Sequence, residues 1–270
     1  AARLAPLDVG AADDRGLDRD TRPVVDFRNF GSNADGFGQV RTNQFMGQTA
    51  RPRVWTLREF KLEKTCTRTR RYRYECTLEF VPVTAKTNPW GGLFAENATH
   101  PLAEDFQSDF VDQIDSLSAD SAAGVGMHID DAYNSGQSDS SGTTDTNYLA
   151  QFVEGSFQTS LIDALAAKGS TLTATDIIAR AQTQSCAGCH QLSNNDALGN
   201  GLVWPASLGF VHVSERDAET VDGVKRFQIS PALINEFLPA RKAIMEGFLA
   251  GKEPPRGGYR RRTLGGHASH

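Results

Sequence analysis

The run Cys186-Ala187-Gly188-Cys189-His190 gathers two thiols and an imidazole into five consecutive positions. With two residues between them, both cysteines face one edge of a flat ligand from a single helical turn, and the histidine next in line turns its ring onto a metal. Cys-x-x-Cys-His is the attachment signature of a c-type haem: each S–H adds across a porphyrin vinyl group to form a thioether, and the imidazole takes one axial position on the iron. Two other chemistries use a cysteine pair. Thiol–disulfide exchange activates the first thiolate at a helix N-terminus after an apolar strand. A zinc site takes the pair as half of its ligand set. Here the pair follows Thr173-Ala174-Thr175-Asp176-Ile177-Ile178-Ala179-Arg180-Ala181, which reads as a capped helix. No second ligand pair is spaced for zinc, although His212 is available in principle. The histidine directly after the second cysteine selects haem c over both alternatives.

His190 supplies one axial nitrogen, and the group opposite decides between electron transfer and small-molecule chemistry. His212 is the preferred second ligand. It stands 22 residues past His190, and in a strand it would share a face with Phe210 while Val211 and Val213 point the other way. Met245, the only downstream methionine, falls in the last helix beside Phe248 and Leu249, where a core role is the commoner one. Met46, His100, Met127 and His128 lie upstream, and His267 and His270 lie in the C-terminal tail. A pair of histidines gives a low reduction potential and a His/Met pair a higher one.

The elements that must position these residues follow from the hydrophobic pattern. Residues 1–36 read as an extended arm. Residues 37–100 are rich in strand formers, with Val54, Leu57, Phe60 and Leu62 on one side of a charged turn and Tyr72, Tyr74, Leu78, Phe80, Val81 and Val83 on the other. Cys66 and Cys76 flank that turn, so a disulfide closes the hairpin if the register sets them opposite each other. From 101 to 252 the pattern is mainly helical. Leu102, Phe106, Phe110, Ile114 and Leu117 predict a helix over 101–119, Phe152 to Leu165 a second one over 147–168 broken at Gly155-Ser156, and Thr173 caps a third that runs into the motif. Gly209–Val213 and Val224–Ile229 read as short strands, and Ser230-Pro231 as the start of a last helix with an interruption at Pro239. Residues 121–146 read as a long mobile or ligand-binding loop. Asp130, Asp131, Asn134, Asp139, Ser140, Asp145 and Asn147 offer oxygen ligands there, without the spacing of a helix–loop–helix calcium site. Residues 253–270 read as a loose basic tail. The expected class is α+β, a β-rich N-terminal region followed by a helical haem region.

Composition narrows the compartment and the partners. With 39% hydrophobic and 23% charged residues the chain has the make-up of an ordinary globular protein, and no apolar run approaches the ~20 residues of a membrane span. Two cysteines for the motif and two for the hairpin leave no thiol over, which suits an oxidising compartment. The chain opens Ala1-Ala2-Arg3, as expected of a mature form after signal-peptide removal. The net charge of −5 is unevenly spread: no lysine or arginine occurs between Lys86 and Lys168, an interval holding Glu104, Asp105, Asp109, Asp112, Asp115, Asp120, Asp130 and Asp131. Arginines and lysines crowd instead into the hairpin, from Arg51 to Arg73, and into the tail at Arg256 and Arg260 to Arg262. Such polarity steers a molecule toward a partner or toward its own copies, whereas an acidic chain with so short a basic run argues against nucleic acid.

In outline the C-terminal half resembles a c-type cytochrome: a helix leading into Cys-x-x-Cys-His, loops, then a terminal helix packing back. The likeness is specific over the five motif residues and architectural over roughly 170–250. The chain is also similar to secreted bacterial proteins that combine Ser-Cys-Ala-Gly-Cys-His-Gln with a downstream Trp-Pro-Ala-Ser-Leu-Gly-Phe-Val-His run, a similarity that carries no activity with it. The resemblance implies one covalent haem c on Cys186 and Cys189, iron ligated by His190, and a periplasmic or extracellular location. The expected function is single-electron transfer to a redox partner protein, with the arm, hairpin and charged faces as surfaces for a homo-oligomer or filament. A haem enzyme or gas sensor with an open distal side, and a haem-free disulfide-stabilised binding module, are the alternatives.

Overall fold

The computed structural model describes residues 40–45, 55–69, 74–85, 87–142 and 145–251. The expected arm at 1–36 and basic tail at 253–270 lie outside the described residues, as do Met46, His267 and His270. The architecture is mixed, with the N-terminal strands and the later helices that the pattern predicts.

Strand β1 (Val40–Phe45) pairs antiparallel with β2 (Trp55–Arg68), and β2 pairs antiparallel with β3 (Tyr74–Val83). In the second ladder Cys66 faces Cys76 directly, with Cα atoms 4.1 Å apart, and the two are joined by a disulfide. The register condition set by the sequence is therefore met. Toward its tip the two-stranded ribbon is exposed at residues 65–69 and 75–80, Leu78 and Phe80 included.

Two short helices follow, α1 (Ala103–Val111) and α2 (Ile114–Leu117), in place of one helix over 101–119. The apolar period survives the break: Phe106, Phe110, Ile114 and Leu117 are all buried. The stretch at 121–146 is not the mobile loop its composition suggested. Val125, Met127, Ile129 and Tyr133 are buried in the core, and β4 (Ser138–Asp139) pairs with Thr56 and Leu57 of β2. Its polar residues bond to Asn88 and to Thr56 of β2. Asn134 accepts from the Asn88 N–H at 2.9 Å, Ser138 donates to Asn88 Oδ1 at 2.6 Å, and Thr56 donates to Asp139 Oδ1 at 2.8 Å. Several of the oxygen ligands expected for calcium are engaged in this way.

Helices α3 (Tyr148–Gln151) and α4 (Ser156–Ala167) flank the expected break at Gly155. Glu96 caps α4 from a distance, accepting from the Ser156 and Phe157 N–H groups. Helix α5 (Ala174–Gln182) starts with the predicted Thr173 cap, reinforced by Asp176 in a reciprocal capping box. One core joins α1, α2, α4 and α5 around Phe94, which stacks on Tyr148 at 4.3 Å and meets Phe106 edge-on at 4.9 Å.

Arg180, on α5, is 1% exposed, and its guanidinium holds the loops next to the motif together. It donates to Leu117 O and Ala119 O at 2.8 Å, to Leu198 O at 2.7 Å and to Gly199 O at 3.4 Å. The fork geometry of the guanidinium lets one side chain satisfy carbonyls from two separate segments. Burial draws its pKa down, while Asp176 and Asp120 oppose that shift.

After the motif come the antiparallel hairpin β5 (Val213–Val221) and β6 (Val224–Ile229), then helix α6 (Leu238–Leu249). The first expected strand therefore begins at Val213, four residues later than predicted, and His212 stands just before it. A π-helical stretch at Ala232–Phe237 precedes α6, so the helix continues through Pro239 where the sequence suggested an interruption. The wider turn leaves room for a residue that lacks an N–H. No residue of α6 is buried, and Ile244, Met245, Phe248 and Leu249 are all exposed. The terminal helix expected to pack back on the motif does so only at its start, where Phe237 meets Trp204 at 5.7 Å beside the cluster that holds Cys189; its later face is open.

Candidate functional site

The motif sits one turn beyond α5. The Ser185 hydroxyl accepts from the Gly188 N–H at 3.0 Å, and the π-helical turn Gly188–Leu192 carries Cys189 and His190. Gly188 permits this. A Cβ there would overlap the Gln182 carbonyl, so only glycine lets the turn lie against the end of α5. From the other side β4 approaches, and the Cys186 N–H donates to Ser138 Oγ at 3.3 Å. Both cysteines are free thiols of intermediate exposure.

His190 is held on three sides. Its backbone carbonyl accepts from Ser207 Oγ at 2.8 Å and from Asn194 Nδ2 at 3.3 Å. Its Nδ1 lies 2.7 Å from the Phe210 carbonyl. Trp55 of β2 meets its ring edge-on, with centroids 4.9 Å apart. A carbonyl only accepts, so Nδ1 carries the proton and Nε2 keeps its lone pair, the tautomer of a metal-binding imidazole with a backbone partner behind it. Burial lowers the His190 pKa, which keeps the ring neutral, against the opposing pull of the Phe210 bond.

His212 lies beside His190, with ring centroids 4.7 Å apart at 61°. Its Nε2 is 3.4 Å from Cys189 Sγ and its Nδ1 is 2.9 Å from Ser230 Oγ. A nucleophile, a base and an orienting hydroxyl in this order would also describe a cysteine enzyme. The electrostatics point the other way. Burial pushes the Cys189 thiol up to about 11, with Cys186 adding to it, and burial, followed by the competing His190 imidazole alongside, draws His212 down to about 4. Those values favour a neutral thiol beside a neutral imidazole over the thiolate–imidazolium pair that such an enzyme needs.

The structure thus brings Cys186, Cys189, His190 and His212 together. It does not bring Met245, which is 60% exposed on α6, or Met127, which is 1% exposed inside the main core; His100 and His128 are exposed. Among the described residues no group of three or more His, Cys, Asp and Glu side chains is placed to hold a metal ion, so the four ligands of a zinc site are not assembled.

Ser138, Trp55, Asn194, Ser207 and Ser230 were not singled out for the site by sequence, and Phe210 only as a strand neighbour of His212. Two of these residues, Ser207 and Phe210, come from the Trp204–His212 run, whose presence beside the motif was the available signal. Phe210 acts through its main-chain carbonyl, which leaves no mark on residue type.

The residues present suit a haem c on two counts. His190 offers Nε2 with Nδ1 anchored, next to two thiols on one turn. Trp204, 1% exposed, belongs to the small cluster against which Cys189 packs, and among the described residues its Nε1–H has no acceptor, a buried donor left for a bound group to answer. Comparison with protein-family models, curated proteins and solved structures finds no match to this chain.

Proposed function

We propose that this chain is a periplasmic or extracellular mono-haem c-type cytochrome that passes single electrons to a redox partner protein. The observation that carries the reading is the His190 imidazole fixed by the Phe210 carbonyl at 2.7 Å, in the turn that also presents Cys189, three residues after Cys186. What a haem supplies when bound there is a reversible one-electron iron couple. The chain's own residues do the rest. Cys186 and Cys189 hold the group at one edge, His190 presents Nε2, and Asn194 and Ser207 keep the His190 backbone from turning. Trp55 and Phe210 wall the ring, so the N-terminal sheet is part of the site. The exposed ribbon of β2 and β3, with Leu78 and Phe80 outward, is the edge this reading assigns to protein association.

The disulfide in the ribbon and the lack, among the described residues, of a helix long and apolar enough to cross a membrane agree with this location. The test is a pyridine haemochrome spectrum of protein expressed with a c-type maturation system. The expected result is one covalent haem per chain, absent in the double variant Cys186→Ser/Cys189→Ser. Protein with titratable thiols at 186 and 189 and no haemochrome band would return the chain to the class of disulfide-stabilised binding modules.

A further inference from the structure

We infer that His212 is a positioning residue for Cys189, locked by Ser230 on the same side of the attachment turn as His190, and is not the second ligand of the iron. The inference rests on the haem reading above and reverses the preference that sequence spacing suggested.

The first observation is distance. Two imidazoles bound to one metal from opposite sides keep their ring centres about 6 Å apart, because each metal–nitrogen bond is about 2 Å long. The His190 and His212 rings touch edge to face at 4.7 Å. They are neighbours on one side, with no room for a macrocycle between them.

The second is the hydrogen inventory. The partner of His190 Nδ1 is a carbonyl, which forces the ligand tautomer. The partner of His212 Nδ1 is a hydroxyl, which can donate. Ser230 Oγ already accepts the Leu233 N–H at 3.2 Å, and His212 Nδ1 is the acceptor in reach of its own proton. With Ser230 O–H donating to Nδ1, the His212 proton sits on Nε2 and points at Cys189 Sγ, 3.4 Å away. A thioether sulfur has no proton, so once Cys189 carries the haem this contact needs an N–H donor, and this tautomer of His212 supplies it. The chain Ser230 O–H to Nδ1, then Nε2–H to Sγ, holds in both states of the cysteine.

The third is anchorage. Ser230 is fully buried, and its own N–H donates to the His212 carbonyl at 2.8 Å, next to the Val213–Ile229 pair that closes the base of the β5–β6 hairpin. His212 is tied to Ser230 through both backbone and side chain. Carrying the imidazole to the far side of the iron would require opening that base. An N–H aimed at the sulfur draws electron density from the thioether and favours the reduced iron.

The experiment compares the haem-loaded parent with His212→Ala, His212→Gln, Ser230→Ala and Ser230→Thr by absorption spectrum, carbon monoxide binding and reduction potential. Spin state and carbon monoxide binding are expected to stay as in the parent in every variant. The potential is expected to fall in His212→Ala and Ser230→Ala and to stay near the parent value in His212→Gln, whose amide donates, and in Ser230→Thr. A six-coordinate low-spin parent that becomes high-spin and binds carbon monoxide in both His212 variants, and is restored by added imidazole, overturns the inference while leaving the haem reading intact. A parent without a haemochrome band overturns the haem reading and this inference with it. If His212→Ala fails to mature, His212→Gln decides alone, since its side chain is a poor iron ligand.

Discussion

Replacing Gly188 by alanine sets two effects against each other inside the motif. Gly188 is the second residue between the cysteines and has helical backbone with no positive φ. On propensity alone, alanine in a helix is better than glycine by about 1 kcal/mol. The packing opposes this. The new Cβ would overlap the Gln182 carbonyl oxygen, stand 2.6 Å from the Gln182 carbonyl carbon and 3.1 Å from Thr183 Cα. Carbon atoms in ordinary contact keep about 3.5 Å, so the turn must retreat by roughly 0.9 Å from the carbonyl carbon. All of these atoms are backbone at the end of α5, and none can rotate aside. Overpacking of this kind costs about 1–3 kcal/mol, and rigid neighbours place it at the upper end. Setting about 3 against about 1 leaves a net loss of about 2 kcal/mol. At roughly 2–4 °C per kcal/mol for a chain near this size, Tm should fall by roughly 4–8 °C. Thermal unfolding followed by circular dichroism reads this directly, and the haemochrome band per mole of protein should fall with it, because the retreating turn carries Cys189 and His190. Gly92→Ala is the control, since a Cβ there meets nothing within 4 Å. A Gly188→Ala variant as stable as the parent, or more so, would refute the argument that close backbone approach requires the glycine.

Three further outcomes follow from the same structure. Arg180→Met should cost about 3–5 kcal/mol in urea unfolding, because it strips charge-assisted bonds from carbonyls in two segments and leaves buried acceptors unanswered; a loss below about 1 kcal/mol would show that the guanidinium is not what joins them. Glu96 has its carboxyl held below the usual glutamate range by the Ser156 and Phe157 N–H groups. A depressed carboxylate pKa contributes stability that is present above about pH 4.5 and is lost as pH falls through the folded-state value, so Glu96→Gln should flatten the acid limb of a stability–pH curve and leave neutral pH less affected. Reducing the Cys66–Cys76 disulfide removes a cross-link worth about 3 kcal/mol by loop-closure entropy. The ribbon is exposed, so the loss should appear as faster amide exchange at residues 65–69 and 75–80, with the global Tm little changed; a large Tm drop would mean that the ribbon is integral to the core.

Local signals in this chain were read correctly where one residue type has one physical use. Thr173 three residues ahead of Asp176 meant a capped helix, and the capping box is there. Facing β-formers around a charged turn meant a hairpin, and its register, which the sequence left as a condition, sets Cys66 against Cys76. Readings failed where composition stood in for contact. The Gly, Ser and Asp content of 121–146 suggested water-exposed chain, yet those polar groups bond to each other and to β2. The apolar period of α6 suggested a core helix, yet its face is open.

By itself the sequence determined which atoms are available for chemistry: two thiols and an imidazole in consecutive turn positions, a spacing that covalent geometry alone makes meaningful. What it left open was on which side each histidine stands and where its proton sits. Those depend on the partner at Nδ1, a main-chain carbonyl for His190 and a hydroxyl for His212. A carbonyl is present at every position whatever the side chain, and Ser230 is brought to His212 by the closing of a hairpin 18 residues long in sequence separation. Tertiary structure decided those partners, and with them which hydrogen bonds each imidazole makes.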